Sequence, residues 1–175
     1  MENYNQKIVA LVLNVKKPAN IICLQKELIE FLKKFESDDR VYIYNNSGMS
    51  FSKGSKAIAE LARYDFDGML PLYDLMRDAI SALEFESSLD KILIVFNDSE
   101  TDHFQVNKML RRVKTMVDAK TYFFEIGTPS EIESRRKNAD TYNLEKAAEM
   151  EGFQMVEDLT GLASKLNEIY KDGGI

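Results

Sequence analysis

The stretch IVALVL (residues 8–13), followed by NVKKP (residues 14–18), decides the fold. A strand with one solvated face alternates polar and apolar residues, whereas this stretch is apolar at every position. Continuous apolarity indicates burial on both faces, as in a parallel sheet that helices cover on both sides. The amide, lysines and proline that follow predict a loop at the carboxyl end of the strand.

Four more short apolar runs share this character and alternate with helical patterns, in which apolar residues recur three or four positions apart. The predicted strands cover residues 41–44, 92–96, 122–126 and 153–156. The predicted helices cover residues 20–35, 55–64, 71–85, 104–117, 143–151 and 159–170. Residues 45–53 predict a turn and an edge strand. This alternation predicts a doubly wound α/β sandwich, with a six-stranded, mostly parallel sheet and one antiparallel edge strand.

Length and composition limit the possible functions. A chain of 175 residues is expected to form a single domain, with an ordered core over about residues 6–171. A net charge of −6 argues against nucleic acid as the main partner, because nucleic-acid binding depends on clustered cations. The single cysteine excludes an internal disulfide. No apolar run approaches the ~20 residues that span a bilayer, and the N-terminus lacks a signal-peptide core, so the expected location is cytoplasmic.

Ligands of open α/β sheets bind beyond the carboxyl ends of the strands. Three loops are expected to converge there, at residues 14–20, 64–71 and 97–103. These loops carry the residues that we expect to form a partner-binding surface: Asn14, Lys16, Lys17, Met69, Leu70, Asp98, Ser99, Glu100 and His103.

The order of the elements and several motifs resemble a von Willebrand factor type A (vWA) domain. YDLMRDAI (residues 73–80), preceded by GMLPL (residues 68–72), resembles the GGTPLYDAL-type loop and helix of that family. ILIVFNDS (residues 92–99) is similar to its ILVLTDG strand end, and FFEIG (residues 123–127) resembles its fifth strand. The resemblance covers nearly the whole chain and implies a vWA-like, three-layer fold.

Members of that family typically hold Mg²⁺ in a metal-ion-dependent adhesion site, built from a DxSxS motif, a threonine and a second aspartate. The resemblance places Asn14 at the first aspartate, Lys16 and Pro18 at the two serines, and Leu70 at the threonine. Only Asp98 remains as a carboxylate, although Mg²⁺ prefers hard oxygen ligands that include one or two carboxylates. A degenerate site without a metal cofactor is therefore expected, in which the Lys16 ammonium could replace the metal by a salt bridge to Asp98.

A metal-dependent alternative stays open. Asp98 and Glu100, with Asp102 and His103, form an acidic cluster that could bind a divalent ion or supply a general base. Any metal ligands would come from Asn14, Asp98, Asp67 and Asp102. The same residue types also serve as ordinary turn and helix-capping residues.

The leading hypothesis is a non-enzymatic protein–protein interaction module of vWA type. Lys16 is expected to contact a carboxylate of the partner protein, and Met69 and Leu70 are expected to make apolar contacts. The alternatives are a divalent-metal-dependent binder or enzyme that uses Asp98, and a structural subunit of a larger assembly. Residues 135–137 (RRK) are expected to form a basic loop, either solvated or facing an acidic partner.

Overall fold

The structure, a computed structural model, describes residues 6–45, 48–63, 70–87, 90–100, 103–135 and 152–172, without the side chains of residues 62, 63, 103, 104 and 172. Six strands form one sheet within these ranges, in the order β3-β2-β1-β4-β5-β6. The strands are β1 (Lys7–Asn14), β2 (Arg40–Asn45), β3 (Gly48–Lys53), β4 (Asp90–Asn97), β5 (Lys120–Ile126) and β6 (Phe153–Val156).

The sheet is parallel except at one edge. Strand β1 lies between β2 and β4 and is parallel to both, and β4, β5 and β6 continue in the same direction. Strand β3 runs antiparallel to β2. The predicted mostly parallel sheet with one antiparallel edge strand is confirmed.

Six α-helices lie in the described ranges: α1 (Pro18–Leu32), α2 (Ala57–Arg63), α3 (Leu72–Phe85), α4 (His103–Arg112), α5 (Pro129–Arg135) and α6 (Leu162–Asp172). A 3₁₀ turn (Gly54–Lys56) precedes α2, and a π-helical turn (Val113–Val117) follows α4. The predicted helix at residues 143–151 lies outside the described residues. None of the described helices is both long and apolar enough to cross a membrane.

Helix α5 corrects one prediction. Arg135 belongs to this helix and not to a basic loop, and residues 136 and 137 lie outside the described residues. The Thr128 N–H donates to Glu131 Oε2 at 2.9 Å, and the Glu131 N–H donates to Thr128 Oγ1 at 3.2 Å, which forms a capping box at the helix start. The seven-residue helix has only Ile132 in its buried set, which is too little to give an apolar pattern in the sequence.

The core has two halves, one on each face of the sheet. Alternate residues of β1 point to opposite faces, so the strand contributes to both halves. One half joins Val9, Leu11 and Leu13 to side chains of α1, α2 and α6. The other half joins Ile8, Ala10 and Val12 to side chains of α3 and α4. All eight residues of β1 are buried, which explains its unbroken apolar run.

Candidate functional site

The carboxyl ends of β1 and β4 bring Asn14 and Asp98 together. Asn14 pairs in register with Asn97, and the Asp98 N–H donates to the Asn14 carbonyl at 3.2 Å. Asn14 and Asp98 are each only 2 % exposed. Two residues that the sequence singled out therefore meet at the edge of the sheet where ligands of α/β proteins bind.

The Asp98 carboxylate accepts hydrogen bonds from the loop that enters α1. Its Oδ1 accepts the Lys16 N–H at 2.8 Å, and its Oδ2 accepts the Lys17 N–H at 3.0 Å. The Asn20 amide donates to Oδ2 at 3.1 Å, and the Ser99 hydroxyl donates to Oδ1 at 3.1 Å. Lys17, the N-cap residue of α1, makes no side-chain cap bond. Asp98 thus supplies a negative charge at the start of α1, where the helix dipole favours it.

These contacts correct the predicted salt bridge. Lys16 contacts Asp98 through its main-chain N–H, and its side chain is exposed. No ion pair in the described part of the chain joins the Lys16 ammonium to Asp98. Pro18, placed by the resemblance at a ligand position, is instead the first residue of α1, where its fixed φ suits the helix. The Lys16 and Lys17 N–H groups, which directly precede the helix, need acceptors outside it, and the carboxylate accepts both.

A row of polar side chains crosses the sheet beside Asp98. Asn14 Nδ2 donates to Asn97 Oδ1 at 2.7 Å, and Asn97 Nδ2 donates to Glu125 Oε1 at 2.9 Å. Arg135 of α5 closes the row, with its Nη2 2.6 Å from Glu125 Oε1. The same nitrogen donates to the Ile126 carbonyl at 2.6 Å. The row therefore links the ends of β1, β4 and β5 to α5. Its positive charge is the guanidinium group of Arg135.

The sequence analysis missed Asn97, Glu125 and Arg135 as members of this site. Asn97 and Glu125 pair in register, and Asn97 also pairs with Asn14, so three neighbouring strands carry a polar residue at the same level. Polar residues near the ends of otherwise apolar strands were the available signal. Arg135 gave no such signal, because it lies in a short helix that the sequence did not predict.

Glycine at position 127 lets α5 approach the end of β5. Gly127 has φ +145°, and a Cβ there would lie 3.0 Å from Arg135 Nη1 and 3.0 Å from Glu131 Oε2. Glu131 also faces Lys17 across the surface, with 3.5 Å between Oε1 and Nζ. The Thr128 N–H and the Lys17 ammonium lower the pKa of Glu131. Helix α5 thus packs closely against the end of β5, and its Glu131 reaches the exposed side chain of Lys17.

The remaining predicted residues are described only in part. Leu70 and Glu100 are exposed, and Ser99 is half-buried, with its hydroxyl 3.4 Å from the Asn14 carbonyl. His103 is the first residue of α4, and its side chain is not described. Met69, Asp67 and Asp102 lie outside the described residues.

The described residues do not fit a Mg²⁺ site. Asn14 presents its amide nitrogen to Asn97, which leaves one buried neutral oxygen, Oδ1, without a hydrogen-bond partner among the described residues. Both oxygens of Asp98 accept protein hydrogen bonds, and Leu70 has no side-chain oxygen. Across the described ranges, no group of three or more His, Cys, Asp and Glu side chains is arranged to hold a metal ion. A single neutral oxygen falls short of the oxygen shell that Mg²⁺ requires.

Comparisons with known proteins identify the fold. No family model and no curated protein sequence matches the chain. Among solved structures, it is similar to the ArnB paralog VWA2 from Sulfolobus acidocaldarius, with TM-score 0.63 and 13% identity over 94% of this chain and 44% of that chain. It is also similar to the D319A mutant of the PilB minor pilin from Streptococcus sanguinis, with TM-score 0.70 and 12% identity over 98% and 62% of the two chains.

A third similar structure is proximal thread matrix protein 1 (PTMP1) from the mussel byssus with a zinc-occupied MIDAS motif. Its TM-score is 0.61 with 11% identity, over 96% of this chain and 46% of that chain. The present chain thus spans about half the length of these proteins. The predicted fold is confirmed: the chain has a vWA-like fold, with a three-layer α/β/α architecture.

Proposed function

We propose that this chain is a non-enzymatic protein-interaction module of vWA type that binds its partner without a divalent cation. The observation that carries the proposal is the Asp98 carboxylate, whose two oxygens accept hydrogen bonds from Lys16, Lys17, Asn20 and Ser99 of the chain itself. The carboxylate that the resemblance assigns to metal binding thus holds the loop in place.

The energetics favour this structural use of Asp98. A metal ion that took over the carboxylate would leave the Lys16 and Lys17 N–H groups in need of new acceptors. A buried donor that loses its acceptor costs about 1–3 kcal/mol, and these partly buried N–H groups would each cost the lower part of that range. The neutral amide of Asn14 adds no charge to offset that cost.

The surface above Asp98 suggests the chemistry of the partner. The loop that Asp98 holds displays the exposed side chains of Lys16 and Lys17. Leu70, which is also exposed, adds an apolar group before α3. In metal-dependent domains of this family the cation meets a carboxylate of the partner, as the resemblance implies. Here the proposed contact to that carboxylate is a lysine ammonium, with an apolar contact at Leu70 beside it.

Affinity capture tests the proposal. The full chain serves as bait, once with EDTA and once with Mg²⁺, and the recovered proteins are compared with those of a Lys16→Glu, Leu70→Asp double variant. A Lys165→Glu, Met116→Asp variant is the matched control, because it makes the same kinds of change at exposed positions elsewhere. Wild type and control should recover the same partner in EDTA, and the double variant should lose it. A partner that requires Mg²⁺, or that the double variant retains, contradicts the proposal.

A further inference from the structure

The edge strand β3 carries two neighbouring exposed apolar side chains. Met49 is 58% exposed and Phe51 is 44% exposed. Alternate residues of a strand share a face, so both lie on the same side of the sheet. The register places them opposite Tyr44 and Tyr42 of β2, whose side chains belong to the half of the core that contains α3. Phe51 contacts the Tyr42 ring, with 4.9 Å between ring centroids.

The outer edge of β3 has no strand beside it in the described part of the chain. An edge strand presents main-chain N–H and C=O groups that are ready to pair with another strand. Proteins usually protect such an edge with a proline, a bulge or a charge within the strand. Strand β3 pairs one-to-one with β2 over its whole length, contains no proline or acidic residue, and has its one charge, Lys53, at its end.

We propose that β3 pairs with β3 of a second copy of this chain, antiparallel and about a two-fold axis through Ser50. This register places Met49 of each copy opposite Phe51 of the other, so that two methionine–aromatic contacts form across the interface. Directly opposite residues in antiparallel strands lie close enough for such contacts, which are favourable for sulfur beside a ring.

Ser50 lies at the centre of the proposed pairing. Its hydroxyl is buried and has no hydrogen-bond partner within the described residues. Buried polar groups in proteins are nearly always hydrogen-bonded. On the two-fold axis the two Ser50 residues would face each other. Each hydroxyl is covered by its own chain, so a bond between the two requires rotation about χ1.

The charges at this edge do not oppose a second copy. The chain carries a net charge of −6, so two copies repel each other in general, but residues 48–52 are uncharged. The proposed register places the two Lys53 ammonium groups at opposite ends of the ladder. With ~3.3 Å per residue they are about 20 Å apart, well beyond the Debye length of about 8 Å. The short ladder and few apolar contacts imply a weak, reversible dimer that salt strengthens.

Sedimentation velocity over a range of protein and salt concentrations tests the dimer. Wild type should shift reversibly from monomer to dimer with rising concentration, and more readily at high salt. Phe51→Lys should stay monomeric, because it places a charge in the paired edge. Met116→Lys is the matched control, since Met116 is also exposed but lies outside the sheet, and it should behave as wild type. A wild type that is monomeric throughout overturns the proposal, as does a dimer that Phe51→Lys leaves unchanged.

Disulfide trapping tests the register and does not depend on the Phe51 variant. Ser50→Cys and Ser52→Cys are compared in a Cys23→Ala background. In the proposed register the two residues at position 50 have Cα atoms about 4.5–5.5 Å apart, a separation that a disulfide spans. The two residues at position 52 are about 13 Å apart. Mild oxidation should therefore cross-link S50C and leave S52C monomeric. Equal cross-linking of both variants, or of neither, overturns the proposal.

Discussion

Two buried aspartates lie at opposite ends of the sheet and use the same chemistry. Asp98 follows β4 at the carboxyl end, and Asp39 precedes β2 at the amino end. Asp39 is 0% exposed, and it accepts the Lys7 N–H at 3.0 Å, the Glu36 N–H at 3.0 Å and the Tyr170 hydroxyl at 2.6 Å. Asp98 likewise accepts two main-chain N–H groups, from Lys16 and Lys17.

The surroundings of the two carboxylates differ. Phe35 stacks on Tyr170 with 4.8 Å between ring centroids, and Lys7 Nζ lies 4.2 Å from the same ring, so α6 seals Asp39 inside the protein. Asp98 supports a loop with exposed lysines instead. A carboxylate bonded to main-chain N–H groups is therefore structural at either end. Binding, as we propose it, depends on what the carboxylate holds in place.

Replacing Asp39 should destabilise the fold more than any change at the carboxyl end of the sheet. Asp39→Ala leaves two main-chain N–H groups and the Tyr170 hydroxyl without their acceptor, and the Lys7 N–H among them is buried. We expect the free energy of unfolding to fall by roughly 3–5 kcal/mol, measured by urea denaturation. Asp38→Ala, at an exposed neighbouring position, is the control and should change it by less than about 0.5 kcal/mol. Equal losses of stability in Asp39→Ala and Asp38→Ala would contradict a structural role for the Asp39 carboxylate.

Replacing Asp98 should destabilise the fold less than replacing Asp39. The Lys16 and Lys17 N–H groups are only partly buried, so water can replace part of the lost bonding. We expect Asp98→Ala to lower the free energy of unfolding by about 2–3 kcal/mol. Lys16→Ala should leave stability within about 0.5 kcal/mol, since its bond to Asp98 comes from the main chain. A large loss of stability in Lys16→Ala would instead indicate a salt bridge between the Lys16 side chain and Asp98, which the structure does not show.

High pH should weaken contacts near the amino end of the sheet. Burial and the hydrogen bond from Tyr42 to Glu86, 2.5 Å long, raise the pKa of Tyr42 from 10.0 to about 12. The folded state therefore holds this proton more tightly than the unfolded state does. The resulting stabilisation is complete below pH 10 and is lost as the pH rises through about 12.

Absorbance titration of tyrosinate measures this shift as the difference between wild type and Tyr42→Phe. The difference should show one group that titrates near pH 12, and Glu86→Gln should move it toward 10. A Tyr42 that titrates near 10 in the wild type would show that the hydrogen bond to Glu86 does not hold the proton.

Metal addition should have the smallest effect. We expect the midpoint of thermal unfolding to be the same in EDTA and in millimolar Mg²⁺, Mn²⁺ or Ca²⁺, because Asp98 already has protein donors. A ligand at ~100 times its dissociation constant would stabilise the fold by about 2.7 kcal/mol, which is easily detected. A shift that disappears in Asp98→Ala would remove the distinction between the two ends and favour a metal-dependent function.

The sequence predicted the elements whose pattern is local. Burial on both faces leaves a continuous apolar run, so β1 and β4 were predicted within one or two residues at each end. Helix α3 was predicted within one residue at its start, because its apolar stripe begins directly after Pro71. Helix α5 was missed, since its start depends on a capping box and not on an apolar stripe.

The contacts of the candidate site depend on residues far apart in the chain. Asp98 meets residues about 80 positions earlier, and Asp39 meets Tyr170, which is 131 positions later. The sequence shows that these residues are polar and lie near strand ends, but not which N–H group each will accept. For that reason the sequence placed Asp98 correctly at the carboxyl end, assigned it the wrong donor from Lys16, and gave no reason to select Asp39.

The bond between Asp98 and the start of α1 also bears on the order of folding. The first turn of α1 contains no acidic residue, and its charge partner is supplied by the segment that follows β4. The helix can therefore begin to form locally, but the loop that leads into its first turn is held by Asp98 only after β1 and β4 have paired. Such long-range contacts form late, because the chain between them must first be ordered. In a partly folded chain the loop that displays Lys16 and Lys17 would have no fixed conformation, so this surface forms only in the fully folded protein.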